Sequence, residues 1–431
     1  MIRLFEFDKV SDADILTRAI LAEEDVNAAV DAVLAAVRTE GDAALRRYEK
    51  QFDGAELDGL FVTEEELDAA WAQVDPALLE TLRQAADNIR AFHSRQRHEG
   101  FVLAEQPGVV MGQRYTPIES VGVCVPGTPT AFPSTVLMDV IPAKLAGVRE
   151  IIMATPPAPD GTIAPAALAA AKLAGVTKIL KCGGAQAVAA MAYGTQSVPK
   201  VDKIVGPGGV YVAAAKRKVF GLVSIDMIAG PSEILVLADG KSDPKWVAAD
   251  MLSQAEHDAL ASAVLVTDSR ALAEAVRDEL EVQLETLPRR DVARESIDRN
   301  GKIIVTDSLE KAVEAANRIA PEHLELCVDE PFALLPRIRS AGSVFLGRSA
   351  PEALGDYFAG PNHTLPTAGS ARFSSPLGVD DFVKRSSFLY YSQEALQAVS
   401  PQIQRFARQE GLEGHARSVA ARDRSAKEEK Q

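Results

Sequence analysis

The sequence predicts an α/β protein built from two tandem Rossmann-like parallel-sheet domains, with small extensions at both termini. From about residue 121, short apolar runs alternate with alanine-rich segments that have helical spacing. Gly147 and Gly175 stand where such helices would end, as expected for βαβ units in a parallel sheet. The chain has 431 residues, and one core stops growing near ~250–300 residues, so more than one unit is expected.

The elements follow in order along the chain. Apolar spacing over 26–37 predicts a helix that ends at Gly41, and Asp75-Pro76 begins a second helix. The first βαβ series has strands at 121–125, 151–154, 178–180 and 203–205, with helices at 134–146, 164–174, 186–192 and 210–219. The second series has strands at 234–238, 262–267, 302–305 and 343–346, with helices near 244–257, 269–287 and 308–319. A helical pattern follows residue 377, and the charged run after it predicts a solvated tail.

Composition limits the class of partner. The formal net charge of −15 and the pI near 5.0 disfavour nucleic acid and favour a small cationic or zwitterionic substrate. No window approaches the ~20 apolar residues of a membrane span, and the first residues lack the apolar core of a signal peptide. Three isolated cysteines without a CxxC pair indicate a reducing compartment. We therefore predict a cytoplasmic protein that binds neither membrane nor nucleic acid.

Four of the six histidines lie in polar patches beside Gln, Asp or Glu: His257, His323, His363 and His415. Histidine titrates near neutral pH and is the commonest metal ligand, so these patches predict a metal-assisted enzyme. The other two, His93 and His98, fall in a charged stretch and are predicted to be solvated surface.

The individual patches leave alternatives open. Gln254 and His257 are three residues apart on a predicted helix and could share one ion, although an isolated pair of this kind is more often a hydrogen-bonded helix end. Glu322 and His323 suit proton transfer but equally suit a helix-start cap. Asp356 and His363 lie in an unpatterned polar loop, which favours a functional role.

Glycine-rich loops follow three strands of the first series, at 126–129, 182–186 and 206–209. Loops at the carboxyl ends of parallel strands form the ligand crevice, and glycines there let backbone N–H groups approach phosphate. The GxGxxG fingerprint is absent, however, so a tight turn explains each loop at least as well.

Taken together, the segments resemble the histidinol dehydrogenase family over nearly the whole chain. The similarity lies in the order and spacing of short motifs at 136–144, 183–187, 229–233, 253–257, 320–324, 355–367, 371–373, 384–387 and 410–415. The resemblance implies a homodimer with active sites shared between chains, one Zn²⁺ per site, and NAD as hydride acceptor. It implies L-histidinol as substrate, oxidised through bound L-histidinal to L-histidine.

The resemblance also implies a role for each matching residue. Gln254, His257 and Asp356 would bind zinc from one chain, and His415 from the partner. His323 would be the general base, and Glu322 would activate water to hydrate the aldehyde. The substrate would be contacted by these zinc ligands and His323, and by three further residues, Ser232, His363 and Glu410.

The cofactor positions depart from the family pattern. Gln186 is retained, but Cys124 replaces an aromatic residue, Gly209 replaces an asparagine, and Thr128 replaces a glycine. Cys124 could alternatively act as a catalytic thiol, but it lies in an apolar run without a neighbouring base, which favours a core residue.

We predict four regions from these patterns. They are an N-terminal extension over 1–24, a first α/β domain over 25–118 and 235–376, a second α/β domain over 119–234, and a C-terminal dimerisation tail over 377–431. The first domain would carry most zinc and catalytic residues, and the second the cofactor loops.

Three other functions remain open at this point. A related zinc- and NAD-dependent dehydrogenase could oxidise another amino alcohol or a polar diol. A zinc hydrolase could use Glu322 to activate water on a carbonyl. A binding paralogue without activity is disfavoured because every implied ligand and base is present.

Overall fold

The computed structural model describes residues 2–16, 23–127 and 131–423, so Thr128 and the tail from residue 424 lie outside it. The chain divides into two compact units. The larger unit comprises Met1–Gln96 and Ile118–Phe382, and the smaller comprises Arg97–Pro117 and Val383–Gln431.

The described residues form 14 strands and 17 α-helices. The strands are β1 (Arg3–Glu6), β2 (Phe101–Leu103), β3 (Val109–Pro117), β4 (Ser120–Cys124), β5 (Glu150–Thr155), β6 (Lys178–Lys181), β7 (Lys203–Val205), β8 (Ser224–Ile225), β9 (Glu233–Ala238), β10 (Ser262–Thr267), β11 (Lys302–Val305), β12 (His323–Cys327), β13 (Ser343–Leu346) and β14 (Val383–Tyr391). The helices are α1 (Asp12–Leu16), α2 (Glu23–Glu40), α3 (Asp42–Phe52), α4 (Glu64–Gln73), α5 (Pro76–His93), α6 (Pro133–Ala146), α7 (Pro165–Ala174), α8 (Gly184–Tyr193), α9 (Val210–Val219), α10 (Pro244–Ala255), α11 (Arg270–Leu284), α12 (Arg290–Arg299), α13 (Leu309–Ile319), α14 (Pro331–Leu334), α15 (Glu352–Leu354), α16 (Gln393–Gln409) and α17 (Glu413–Ala420).

The larger unit contains two parallel sheets, which confirms the predicted α/β class. The five-stranded sheet has the order β6-β5-β4-β7-β8, and the six-stranded sheet has the order β1-β11-β10-β9-β12-β13. In chain order, five strands of each sheet therefore follow the same 3-2-1-4-5 pattern. The order in which successive strands are added reverses between β4 and β7 in one sheet, and between β9 and β12 in the other. These reversals are the switch points where α/β sheets bind ligands.

The predicted strands and helices of both series are present within a few residues. The left-handed Gly147 (φ 96°) and Gly175 (φ 87°) end α6 and α7 as expected. The sequence did not predict β12, because the polar start of this strand and the fully buried Glu325 interrupt its apolar run. Glu322 and His323 therefore precede and begin a strand, and the helix-cap interpretation was wrong.

The helices between residues 23 and 93 pack against the five-stranded sheet. The predicted domain over 25–118 and 235–376 had grouped them with the six-stranded sheet instead. Val30, Leu34 and Leu45 share a core with Ile152 and Leu180 of the five-stranded sheet. Ile89 of α5 likewise shares a core with β4 and α6. The apolar faces of these helices thus cover the sheet that was assigned to the other domain. At the amino terminus, β1 is an edge strand paired with β11, so the predicted extension belongs partly to the six-stranded sheet.

The smaller unit contains an antiparallel sheet in the order β14-β3-β2, together with α16 and α17. Among the described residues, no helix is long and apolar enough to cross a membrane.

Candidate active site

The centre of the candidate site lies at the amino ends of the neighbouring strands β9 and β12. The His323 Nδ1 is 3.0 Å from the backbone oxygen of Glu233, and the Glu322 carboxylate accepts a hydrogen bond from the backbone N–H of Glu233 at 2.7 Å. The pairing of β9 with β12 therefore holds the predicted acid and base side by side, with both side chains buried.

The contact with Glu233 fixes the tautomer of His323 in its neutral form. A carbonyl oxygen only accepts, so Nδ1 carries the proton and Nε2 keeps its lone pair. Nε2 is buried without a hydrogen-bond partner among the described residues. It lies 3.6 Å from Asp356 Oδ1 and 3.9 Å from Glu352 Oε1, so it faces two carboxylates.

Asp356 lies in a single turn of π-helix, Gly355–Ala359, which directly follows α15. Such turns often occur at functional sites because they redirect a side chain that a regular helix would turn away. The ligand atoms of His323, Glu352 and Asp356 all lie within 4.8 Å of one another, close enough to hold a metal ion.

Sequence reasoning missed Glu352. It is the first residue of the short α15, after Pro351, and this position resembles an ordinary helix start. Its Oε1 is buried and has no partner in the part of the chain that the structure describes, while Oε2 accepts a hydrogen bond from Ser253 at 3.2 Å. The only signal in the sequence was its spacing of four residues before Asp356, which places both carboxylates on one helix face.

The predicted Gln254 and His257 lie at the end of α10, which Asp243 caps and Pro244 begins. Gln254 is buried, and its Nε2 has no hydrogen-bond partner among the described residues. His257 is exposed. His363 is partly buried, and its Nδ1 lies 3.1 Å from the backbone oxygen of Asp356.

Charges and burial shift the pKa values of this group strongly. Burial raises the pKa of Glu322 to about 8. Burial opposes protonation of His323, but Glu322, Asp356 and Glu352 outweigh it and raise its pKa to about 10. Burial also disfavours the charged form of Asp356, but His323 and His363 outweigh this effect and hold its pKa well below the usual range. The side chains are therefore strongly coupled to one another.

The remaining predicted substrate contacts lie in different places. Ser232 precedes β9, next to Glu233, so the strand brings it to the same sheet edge. Glu410 is the C-cap of α16 and His415 lies on α17, both in the smaller unit and both exposed. His93, predicted as solvated surface, is instead fully buried with Nδ1 at 2.7 Å from Gln96 Oε1, whereas His98 is exposed as predicted.

The glycine-rich loops gather at the carboxyl edge of the five-stranded sheet. A Cβ added to Gly127 or Gly183 would lie within 2.9 Å of Pro156, so the loops after β4, β5 and β6 are in close contact. Gly206 follows β7 with φ 101°, and its N–H donates to Asp226 at 2.8 Å while its carbonyl accepts from Lys216 at 3.0 Å. The buried ion pair of Lys216 and Asp226 thus fixes this turn at the switch point.

The three predicted cofactor positions differ in accessibility. Gly209 is the N-cap of α9, and an added Cβ would meet no atom of the described residues within 4 Å. Gln186 is buried in the first turn of α8. Cys124 belongs to the core beneath the loops, and burial raises the pKa of its thiol to about 12, so it is not a nucleophile.

Fold and site together define an α/β enzyme. Glycine loops lie at the switch point on the carboxyl edge of its five-stranded sheet, and a buried His–carboxylate centre lies at the amino edge of its six-stranded sheet. The chain belongs to the histidinol dehydrogenase family, whose model matches residues 16–423. It is 56% identical to a histidinol dehydrogenase of Geobacillus kaustophilus over 400 residues, covering 93% of this chain and 94% of that one. It is 54% identical to one of Syntrophotalea carbinolica, covering 98% and 99%. The crystal structure of histidinol dehydrogenase from Elizabethkingia anophelis matches with a TM-score of 0.93 at 39% identity, covering 99% of each chain.

Proposed function

We propose that this chain catalyses the zinc-requiring oxidation of L-histidinol through bound L-histidinal to L-histidine, the last steps of histidine biosynthesis, with NAD as acceptor. The observation that carries the proposal is the buried Nε2 of His323, which has no hydrogen-bond partner among the described residues and faces Asp356 and Glu352. A free imidazole nitrogen in a buried acidic site is suited to removing a proton from a bound alcohol.

The donor set fits a cation. Asp356 and Glu352 bring two carboxylates together beside the His323 Nε2. Buried polar atoms are ordinarily hydrogen-bonded, and neither His323 Nε2 nor Glu352 Oε1 has a partner among the described residues, which favours a ligand between them. We propose Gln254, His257, Asp356 and the partner's His415 as zinc ligands. Bound zinc would supply Lewis acidity and orient the substrate's nitrogen atoms.

A cation at this place also suits the proposed base. The surrounding carboxylates raise the pKa of His323 to about 10, and a protonated imidazole accepts no proton. Positive charge held by Asp356 would offset those carboxylates and favour the neutral form. The proton would stay on Nδ1, hydrogen-bonded to the Glu233 carbonyl, leaving Nε2 to accept the hydroxyl proton.

Each residue then has a defined task across two oxidations. In the first, His323 accepts the proton of the substrate hydroxyl group while a hydride leaves the carbon that carries this group. Glu322 then takes a proton from the water that hydrates the aldehyde. In the second, His323, having released the first proton to solvent, accepts a hydroxyl proton of the hydrate while a hydride leaves the same carbon for NAD, which gives the carboxylic acid. Ser232, His363 and Glu410 are proposed to hold the substrate throughout.

The carboxyl edge of the five-stranded sheet fits NAD, which would accept the hydride in each oxidation. The loops after β4 and β7 lie at its switch point, where α9 begins, and α8 begins after β6 at the same carboxyl edge. Backbone N–H groups at these helix ends suit a pyrophosphate. Gln186 and Gly209 face this edge in the proposal, whereas Cys124 supports the loops from the core.

We further propose a homodimer formed through the smaller unit. Large apolar side chains are exposed on three of its elements: Val102 (64%), Leu389 (73%) and Phe406 (70%). Exposed apolar side chains of this size are costly in water and favour an interaction with a partner. Exposure of His415 and Glu410 on the same unit is consistent with their delivery to a partner's site.

The function is tested by NAD reduction with a panel of alcohols, with and without a chelator. L-Histidinol should be oxidised to L-histidine with two NAD reduced per substrate, and chelation should abolish turnover while circular dichroism shows an unchanged cooperative unfolding transition. Added Zn²⁺ should restore activity. Turnover of another amino alcohol or of a polar diol in place of histidinol would contradict the substrate, and full activity after verified metal removal would contradict the metal.

A further inference from the structure

We propose that Glu49 is a positioning residue that orients the amide of Gln186 so that its carbonyl oxygen faces the cofactor. The inference rests on the proposed NAD site. It concerns a residue of α3, outside every motif that marked the family, and it assigns Glu49 a part in cofactor binding rather than in the stability of the helix.

The hydrogen bond between these side chains sets the orientation. Gln186 Nε2 donates to Glu49 Oε1 at 3.0 Å, and both residues are almost wholly inaccessible. An ionised carboxylate only accepts hydrogen bonds, so the amide nitrogen turns toward Glu49. The amide oxygen of Gln186 then points the other way.

That oxygen lies against Gly184 of the glycine loop. A Cβ added to Gly184 would be 2.7 Å from Gln186 Oε1, and Gly184 has φ 60° at the start of α8. Gln186 Oε1 accepts no hydrogen bond from the described residues, and it is not fully buried. An acceptor is therefore left at the carboxyl edge of β6 for a donor on the ligand, such as a ribose hydroxyl or an amino group.

The alternative role for Glu49 is simply to tie α3 to α8. Ala44 and Leu45 of α3 already pack into the core shared with α8, so the helix does not need a carboxyl group for that purpose. Glu49 is fully buried and its Oε2 has no partner among the described residues. An incompletely paired buried acid costs stability relative to an apolar side chain, which favours a functional reason for its presence.

The test separates the Michaelis constants for NAD and histidinol. Glu49→Met removes the acceptor that orients the Gln186 amide, so the amide oxygen is no longer held toward the cofactor. KM for NAD should rise about tenfold, which corresponds to the loss of one strong hydrogen bond. KM for histidinol and kcat at saturating NAD should stay within about twofold. Glu49→Gln keeps an accepting oxygen but also permits the flipped amide, so KM for NAD should rise only about threefold.

A variant on the same helix provides the matched control. Asp42 ties the start of α3 to the residues after α8, where its carboxylate accepts from the Ser197 N–H at 3.2 Å. Asp42→Asn should lower Tm and leave KM for NAD unchanged. If Asp42→Asn raises KM for NAD as much as Glu49→Gln does, the effect is structural and the proposal fails.

A double-mutant cycle decides whether Glu49 acts through Gln186. In a Gln186→Ala background, Glu49→Met should change KM for NAD by less than about twofold, because the oriented group is already gone. The same tenfold rise in both backgrounds would overturn the inference, as would an unchanged KM in the folded Glu49→Gln variant. If the wild-type protein oxidises no histidinol, the proposed function fails. NADH binding, followed by fluorescence, still tests Glu49 in that case.

Discussion

At the scale of single residues, the chemistry of the site depends on contacts that no motif states. As the proposed base, His323 depends on Glu233 of the neighbouring strand, whose backbone oxygen would hold the Nδ1 proton, and on a cation that would offset the three carboxylates around it. The sequence indicated the residue types but not this arrangement. The backbone oxygen that selects the tautomer lies 90 residues away in the chain.

His323→Asn should lower kcat about 10²–10⁴-fold, the usual contribution of a positioned base. Histidinol binding to the zinc-loaded protein, measured by calorimetry, should change little because the base acts in the transition state. A loss of binding that parallels the loss of kcat would show that His323 holds the substrate instead.

Glu322→Gln should slow the oxidation of histidinal more than the oxidation of histidinol, because only the aldehyde step needs activated water. Stopped-flow measurement of NADH formation from each substrate separates the two steps. Equal losses would remove the water-activating role from Glu322, and loss of folding is checked by Tm because Glu322 also accepts the Glu233 N–H.

Gly209→Asn should lower KM for NAD about three- to tenfold and leave KM for histidinol unchanged. The added side chain has open space at the N-cap of α9 and can donate to a ligand or cap the helix. Cys124→Tyr provides a contrast: Cys124 is packed in the core, so a tyrosine there should lower Tm by overpacking. An unchanged KM for NAD in the folded Gly209 variant would mean that the cofactor lies elsewhere.

At the scale of elements, periodicity predicted the buried strands and amphipathic helices well, because one face of each must be apolar. β12 was lost because Glu325 occupies its middle, and α15 because it is only three residues long. The packing of α2 and α3 against the five-stranded sheet could not be predicted from the sequence either. Their apolar faces indicate that these helices are packed on one side, but not which sheet they cover.

Asp139 links α6 to the loop that carries Asp356 and His363. Its Oδ1 accepts from the Thr364 hydroxyl at 2.7 Å, and Oδ2 is buried without a partner among the described residues. Burial raises its pKa to about 8, so this carboxyl is mostly neutral at pH 7 in the folded chain. The unfolded chain releases the proton near pH 4.

The sign of the resulting pH dependence is therefore defined. Between about pH 4 and pH 8 the folded state binds the extra proton, so the contribution of Asp139 to stability falls as pH rises through this window. Asp139→Asn does not titrate. Its free energy of unfolding, measured with denaturant, should gain on wild type by about 1 kcal/mol or more between pH 5 and pH 9. A difference that stays constant with pH would show that Asp139 is already ionised when folded.

At the scale of the whole molecule, the two sheets share a strand order but differ at their carboxyl edges. The switch point at the carboxyl edge of the six-stranded sheet is closed by Arg348, which pairs with Asp239 at 2.5 Å and with Asp329 at 2.7 Å. This ion network follows β9, β12 and β13, where the other sheet has its glycine loops. The arrangement favours a single nucleotide site per chain, with the reacting groups at the opposite, amino edge.

The shared active site is tested by mixing two inactive variants. His257→Ala and His415→Ala should each abolish activity, because each removes one proposed zinc ligand from every site. Both side chains are exposed in the single chain, so neither change should prevent folding. The two variants are unfolded, mixed in equal amounts and refolded, so that chains pair at random.

In a mixed dimer, one site carries both defects. The other site takes His257 from the chain that carries His415→Ala, and His415 from the chain that carries His257→Ala, so it has every ligand. Random pairing makes about half of the dimers mixed, with one good site of two, so about a quarter of wild-type activity should return in a symmetric dimer. A site built within one chain gains nothing from mixing. Activity indistinguishable from that of the separate variants, with mixed dimers verified by native mass spectrometry, would exclude the shared site.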